Sequence, residues 1–285
     1  PYDAAQGQIK AVETIRHSIT THRGCFGECN FCAIPVHQGR SVISRSEASI
    51  IREAQAITRH KSFKGNITDV GGATANMYGS ECANMKQGNP CADKRCLYPS
   101  VCPALNKSQK AYTELLQKLR KLKEIKLIRI ASGLRTDLAM ADKVNGKYFI
   151  ADLAKYHTGG QIKLAPEHAD NAVLDAMGKC GLESFAEFTD LFMRESNNAG
   201  KKQFITCYFM SAHPVCTIQS MQQFNTLSRR LCFRPEQVQT FTPTPSTWST
   251  CMYHKEKHFK TGRKIHVAKT AKEKIAQNDA ISKKK

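Results

Sequence analysis

Apolar and polar positions along this 285-residue chain follow two alternating rhythms. IRHSITTH (15–22) alternates weakly and holds β-branched residues, which predicts a first strand. Ser44-Arg45-Ser46-Glu47 then opens a helix, with Ser44 as N-cap and Glu47 as its capping-box partner. Ile50, Ile51, Ala54 and Ile57 recur at helical spacing to about His60. A second strand is predicted over 66–70, ending in Gly71-Gly72, and an amphipathic helix over Ala111 to Lys123. KLIRIAS (126–132) reads as a third strand, Lys147 to His157 as a helix and Gln161 to Ala165 as a fourth strand. Helices follow over Ala169 to Met177 and Ser184 to Ala199. The fifth strand is 203–213, a helix runs from Gln219 to Leu231, and the sixth strand is 237–245. Between Ser80 and Gln109 no period holds.

Six strands alternating with helices imply right-handed crossovers and a parallel sheet with helices outside, an α/β architecture. The unpatterned stretch 80–109 is then an insertion after the second strand, and an insertion of that length needs a reason. Residues 1–14 form a lead-in segment, 15–253 the core domain, and 254–285 a basic tail that belongs to a longer C-terminal region. The tail reads as partly helical around Ala271 to Ala280.

Composition narrows the class. With 41% hydrophobic residues the chain can bury a substantial core. No apolar run approaches the roughly 18 to 20 residues that span a bilayer. The N-terminus PYDAAQGQIK carries no cleavable signal, so the cytoplasm is the expected compartment. The chain begins at Pro1 without a Met and reads as a piece of a longer protein. A formal charge of +19 favours polyanionic partners such as nucleic acid. That charge sits in two blocks, LLQKLRKLKEIKLIRI and Lys255 to Lys285, neither interleaved with stacking aromatics, so a solvated basic surface is the plainer reading.

Twelve cysteines without a secretion signal argue against a disulfide framework. Seven fall in two tight groups, which favours metal ligation; Cys180, Cys207, Cys216, Cys232 and Cys251 are scattered and read as small buried hydrophobes. The first group, Cys25, Cys29 and Cys32, lies in THRGCFGECNFCAIPVHQGR on a loop supplied with Gly24 and Gly27. Three thiolates converging on one centre leave a fourth position open, whereas an electron-transfer cluster or a structural zinc usually takes four ligands. The loop therefore reads as the holder of a [4Fe–4S] cluster with one iron left for a small molecule. The bare spacing also occurs by chance and in zinc loops. The second group is Cys82, Cys91, Cys96 and Cys102; four thiols in an irregular loop suggest a knot tied by zinc or by an auxiliary iron–sulfur cluster, with free thiols or a disulfide as the alternative.

C-x3-C-x-aromatic-C, with Phe31 as the aromatic, resembles the signature of radical S-adenosylmethionine (radical SAM) enzymes. The longer strings RGCFGECNFC, HQGR, RSEASI and DVGGATANMYG resemble the YgiQ (UPF0313) family over nearly the whole chain. The resemblance implies a partial (β/α)6 radical SAM barrel with the cluster loop after the first strand, and S-adenosylmethionine chelated at the open iron. It implies that Phe31 lies near the adenine and that Gly71-Gly72 lets backbone approach the methionine amino group; an ordinary glycine turn is the alternative. Ser132 is placed by analogy for the ribose hydroxyls and Arg135 for the methionine carboxylate, whose plane suits a guanidinium fork. Glu167 and His168 are candidates for cofactor contact or proton handling, with a salt-bridged structural role equally open. His213, at the end of the fifth strand, is a candidate acid or base that is more often structural.

The family pattern is broken at Val215-Cys216 after His213-Pro214, at Lys179-Cys180, and at MYHKE (252–256); a longer N-terminal region is also expected. The activity implied is reductive cleavage of S-adenosylmethionine to a 5′-deoxyadenosyl radical, fed by a flavodoxin- or ferredoxin-type reductant and acting on an unknown substrate. No catalytic side chain is assigned. The alternatives are an RNA-modifying, methylthiotransferase-like radical enzyme and a non-enzymatic zinc-stabilised interaction module.

Overall fold

Parallel strands pairing in chain order organise the residues that the computed structural model describes: 7, 9–13, 15–93, 95–230 and 234–282. The first elements are β1 (Ser18–Thr20), β2 (His22–Arg23), α1 (Ile34–Gln38), β3 (Ile43–Ser44), α2 (Glu47–Thr58), β4 (Asn66–Ile67) and β5 (Asp69–Gly71). After the insertion come α3 (Lys110–Arg120), β6 (Leu127–Ile128), α4 (Thr136–Ala141) and α5 (Gly146–Asp152). The last are β7 (Gln161–Glu167), α6 (Asn171–Met177), α7 (Glu183–Asn198), β8 (Phe204–Ser211), α8 (Ile218–Arg230), β9 (Arg234–Thr240), α9 (Trp248–Lys255) and α10 (Ala271–Ser282).

Two parallel arcs result. In the first, β1 pairs with β5 and β4 pairs with β6. β4 and β5 are one strand interrupted at Thr68, whose amide donates to the His17 carbonyl at 3.1 Å. In the second, β7, β8 and β9 pair in that order. Among the described residues no strand pairing closes the arcs into a barrel. At the seam between them a π-helical turn, Leu153–His157, brings the buried His157 ring within 3.1 Å of both the Ile128 carbonyl and the Asp152 carboxylate.

Helices cover the arcs because their apolar positions recur three and four residues apart. On α3, Tyr112, Leu115, Leu116 and Leu119 are fully buried, and Tyr112 donates its hydroxyl to the Val70 carbonyl at 2.5 Å. Burial of each such side chain contributes about 1.5–3 kcal/mol. On α7, Phe185, Phe188, Leu191 and Phe192 are buried in the same core, where α7 lies against α4, α5 and the π-helical turn.

The structure departs from the expected elements where local rules compete. Ser46, not Ser44, caps α2, accepting from the Ser49 amide at 3.3 Å. Ser44 is held instead in β3 opposite His22, and its hydroxyl accepts from the Gly79 amide at 3.0 Å. The third strand shrinks to Leu127–Ile128. The sixth strand ends at Thr240 rather than 245, since Pro243 and Pro245 have no N–H for a ladder. Beyond it α9, unforeseen in the polar run PTPSTWSTCMY, is capped by Thr247 Oγ1 accepting from the Thr250 amide at 3.3 Å.

The tail helix α10 lies against α8, β8 and β9, and Gln277 accepts from the Ala212 amide at 2.8 Å. Cys207 and Cys216 are buried as expected and Cys180 is half-buried. Cys251 is instead exposed, because it sits on the outer face of α9. Leu231, Cys232, the end of the basic tail (283–285) and most of the lead-in segment lie outside the described residues. No helix among the described residues is long and apolar enough to cross a membrane.

Candidate metal and cofactor site

The cysteine loop leaves the C-terminal end of β1, where the Thr21 amide still donates to the Gly71 carbonyl at 2.7 Å. Gly24 takes φ +86°, and a Cβ there would stand 1.8 Å from the Ser41 carbonyl oxygen, so only glycine fits. Beyond it the loop sends alternate residues to opposite sides. Cys25, Gly27 and Cys29 face Arg135: a Cβ on Gly27 would lie 3.1 Å from Arg135 Nη1, 3.3 Å from Cys25 Sγ and 3.8 Å from Cys29 Sγ. Phe26, Glu28 and Asn30 face the other way, into neighbouring elements. Asn30 is the anchor: its amide donates to the Met177 carbonyl at 2.8 Å, its side chain to Ala176 at 2.7 Å, and its carbonyl accepts from Ser249 at 2.9 Å.

Arg135 supplies the charge of this site. It donates to Cys29 Sγ at 3.6 Å and is held by Asp137, with Nε 2.9 Å from Oδ1. Burial opposes ionisation of Asp137, yet the guanidinium holds its carboxyl below the usual range. Burial, then the neighbouring Cys29, pushes the Cys25 thiol up. Cys32 is pushed up to about 11 by burial and by the nearby Cys29, Cys25 and Glu167. The three thiols therefore sense one another, and Glu167 shares their surroundings. Glu167 has φ +70° at the irregular end of β7; burial raises its carboxyl despite Lys179 at 3.8 Å. Among the described residues no three Cys, His, Asp or Glu side chains are already drawn together as a metal-holding group.

The strand ends next to the loop are more crowded than the sequence indicates. A side chain on Gly71 would fall 2.7 Å from Ser132 Oγ, and one on Gly72 would fall 2.8 Å from His22 Nε2. Close packing within the protein thus requires both glycines. Ser132 donates its hydroxyl to Asp69, which also accepts the amides of Ala131 at 2.8 Å and Ser132 at 3.0 Å. Asp69, His22, Gly71, Gly72 and Ser132 border a cavity of about 210 Å³. Sequence reasoning missed Asp69, Asp137 and His22; the one available signal was an acid at a strand end and another two residues after Arg135.

Phe31 is part-buried, its ring edge-on to His213 at 6.4 Å. His213 is fully buried, 2.6 Å from Ser249 Oγ, and burial lowers it to about 3, so it stays neutral. His168 is likewise buried, lowered to about 4, and 3.4 Å from Cys216 Sγ. Both fit structural roles.

Cys82, Cys96 and Cys102 of the insertion are buried together with Phe26, Met77, Leu97, Leu105 and Leu138. Cys96 is pushed up to about 11, first by burial and then by Cys82, Cys102 and Glu28. Cys91 stands at the rim and accepts from Asn84 Nδ2 at 3.5 Å. All described cysteines are free thiols. The tail also departs from expectation: Trp248, 53% exposed, stacks on Phe259 at 5.1 Å, and Lys260 lies over the Tyr98 ring at 5.1 Å.

No family model matches the chain. A UPF0313 protein of Fusobacterium nucleatum is 46% identical over 286 residues, covering 100% of this chain and 50% of the relative. UPF0313 proteins of Methanosarcina mazei and Geobacter sulfurreducens are 46% and 43% identical, covering 94% and 97% of this chain and 42% and 45% of the relatives. The chain thus spans about half the length of these relatives or less. Among solved structures, the radical S-adenosylmethionine methyltransferase TsrM of Kitasatospora setae, with cobalamin and a [4Fe–4S] cluster bound, superposes with a TM-score of 0.57. It is 13% identical, over 86% of this chain and 41% of TsrM, a likeness of fold.

Proposed function

Because this chain belongs to the UPF0313 family over its whole length, we propose that it is the core of a radical SAM enzyme of unknown substrate. Cys25, Cys29 and Cys32 would hold a [4Fe–4S] cluster, and the six parallel strands would form its partial (β/α)6 barrel, 15–253, between the lead-in segment and the tail 254–285. The observation that carries this reading is the side of the loop on which Cys25 and Cys29 meet the Arg135 guanidinium across Gly27. Thiolate donors with a cation beside them and no side chain between them fit a cluster that has one unligated iron. With S-adenosylmethionine bound, such a cluster supplies one-electron cleavage of the sulfonium, giving methionine and a 5′-deoxyadenosyl radical.

The chain's own residues bind, orient and exclude water. Arg135 offsets thiolate charge and Asp137 holds its fork in place. Gly71, Gly72, Ser132 and Phe31 are the proposed contacts of S-adenosylmethionine, with Glu167 beside Cys32; Asp69 orients the Ser132 hydroxyl. Neutral His213 packs edge-on to Phe31 and steadies it. A flavodoxin- or ferredoxin-type donor supplies the electron, and a reducing compartment, the cytoplasm, suits the free thiols. Cys82, Cys91, Cys96 and Cys102 of the insertion are a candidate second metal position, for zinc or an iron–sulfur cluster, with free thiols as the alternative.

Anaerobic reconstitution tests the assignment: bound iron, an electron paramagnetic resonance signal that changes on adding S-adenosylmethionine, and reductant-dependent 5′-deoxyadenosine. Wild-type deoxyadenosine formation in Cys29→Ala would sink it. A second reading, RNA as substrate, is favoured by Trp248 stacked on Phe259, with Lys260 over the Phe259 ring, an aromatic platform beside a cation. RNA binding that weakens steeply with salt and is lost in Trp248→Ala supports it. A zinc-only protein without iron would instead support a non-enzymatic module.

A further inference from the structure

The first basic block, Leu115 to Ile130, has no aromatic residue of its own, but a tertiary contact brings one to it. The π-helical turn Leu153–His157 departs from α-helical spacing, and its carbonyls take partners from a distant segment. Lys201 Nζ donates to the Lys155 carbonyl at 2.6 Å, and Gln203 Nε2 to those of Ala154 at 3.0 Å and Thr158 at 2.8 Å. So supported, the turn buries His157 against Asp152 and leaves the Tyr156 side chain outside, 39% exposed. Arg120 covers the Tyr156 ring, its guanidinium carbon 3.6 Å from the centroid, and Lys155 Nζ lies 5.1 Å from the same ring.

Tyr156 and Arg120 border a cavity of about 430 Å³, which Lys121 and Lys126 also line, with Ile125 and Leu127 as its apolar side. Gly65, at φ +93°, makes room for the Lys126 stem: a Cβ there would stand 2.8 Å from Lys126 Cγ. Among the described residues no Asp or Glu lines the cavity. The buried Asp152 lies 3.5 Å from Arg120 Nη1 and is shared with His157 Nε2 at 3.1 Å. Arg120 Nη1 is itself buried and makes no hydrogen bond among the described residues. A ring and an ion pair therefore hold the guanidinium, and they leave donors unspent. The cavity opens where Lys126 leads into β6, at the N-terminal ends of the strands, whereas the cysteine loop leaves the opposite end, from β1.

We propose that this cavity binds a free nucleoside phosphate, at a site remote from the cysteine loop. Three cations with no acid among the lining residues select an anion. Arg120 offers a planar fork that suits phosphate oxygens, and Lys121 and Lys126 add point charges. The apolar side and the tyrosine ring offer nothing to bare phosphate, but they suit a flat, weakly polar base. The volume lies within the roughly 300–1,000 Å³ of small-molecule sites, so a concave site of this size takes one nucleotide rather than a strand. A nucleotide held there touches both α3 and the π-helical turn, and so ties the first arc to the seam. The inference does not depend on what the cysteine loop holds.

Isothermal titration of the wild-type chain, purified anaerobically, tests this with ADP, inorganic phosphate and a single-stranded RNA as probes. Saturable binding of ADP is expected, with a thermal midpoint that rises as ADP is added. Lys121→Glu/Lys126→Glu changes only exposed side chains and should weaken ADP at least about tenfold. Lys123→Glu/Lys147→Glu makes the same charge change on exposed lysines outside the cavity and should leave ADP within about twofold. Tyr156→Ala should weaken ADP but not phosphate. Absence of saturation with ADP, equal weakening by the two double variants, or phosphate bound as tightly as ADP overturns the proposal. RNA that binds more tightly than ADP through Lys121 and Lys126 also overturns it, since the cavity is then part of a strand-binding surface.

Discussion

The two cysteine groups differ in their polar company, although Cys25 also packs against the apolar cluster that holds the second group. Cys25 and Cys29 have polar company: the Gly27 amide at 3.3 Å from Cys25 Sγ, Thr74 Oγ1 at 3.9 Å, and Arg135 at 3.6 Å from Cys29. Cys82, Cys96 and Cys102 lie against Phe26, Met77, Leu97, Leu105 and Leu138. Burial pushes the Cys25 thiol up, and the Gly27 amide and the Arg135 guanidinium act against that rise. A thiol in hydrocarbon loses its charge unless a metal takes it up. Polar surroundings suit exchange of a small molecule, and dry surroundings suit permanence.

The largest effect that would separate the two groups is loss of function. Cys25→Ala, Cys29→Ala or Cys32→Ala should reduce deoxyadenosine formation to background with loss of bound iron, whereas Cys96→Ser should leave the product forming, measured by product chromatography and metal analysis. Equal loss of product in Cys96→Ser would mean that the groups are not independent. Phe26→Ala comes next, since it opens a cavity between them. Loss of about 3–5 kcal/mol is expected from anaerobic denaturant unfolding; an unchanged midpoint would mean that the groups share no core.

Acid tests the second arc, where His213 meets Phe31 of the cysteine loop. His168 and His213 are buried neutral, at about 4 and 3 against 6.5 when unfolded. Between those values the unfolded chain binds more protons, so stability is full above pH 6.5 and falls as pH drops toward 4. At pH 5 the loss is about 2 kcal/mol per histidine, read by urea unfolding at pH 7 and pH 5. A flat profile over this range would contradict their burial. Smallest is Glu28→Gln, which breaks a half-exposed pair with Arg40 and should cost at most about 1 kcal/mol. Arg40→Ala should cost more, because it also frees the carbonyls of Cys91 and Ala92.

Long elements were legible and short ones were not. β7 and β8 run for 7 and 8 residues, enough for alternation to show. β6 has 2 residues and α4 has 6, too few for any period, and α9 is polar nearly all round. Gly71 and Gly72 were recognisable as special positions, but the neighbours that need the space, Ser132 and His22, arrive from other strands. Nor do the tail lysines reveal in sequence that Trp248 folds back onto Phe259.

By itself the sequence determined the candidate donor set, because spacing is local: Cys25, Cys29 and Cys32 share one short loop wherever that loop goes. It also determined the order of strands, through the alternating rhythms. Only the tertiary structure decided which way the loop faces. Arg135 meets Cys29 across 106 positions, and Arg95 meets Asn30 across 65. Contacts of that separation depend on where the strands deliver each side chain, and no local pattern encodes it.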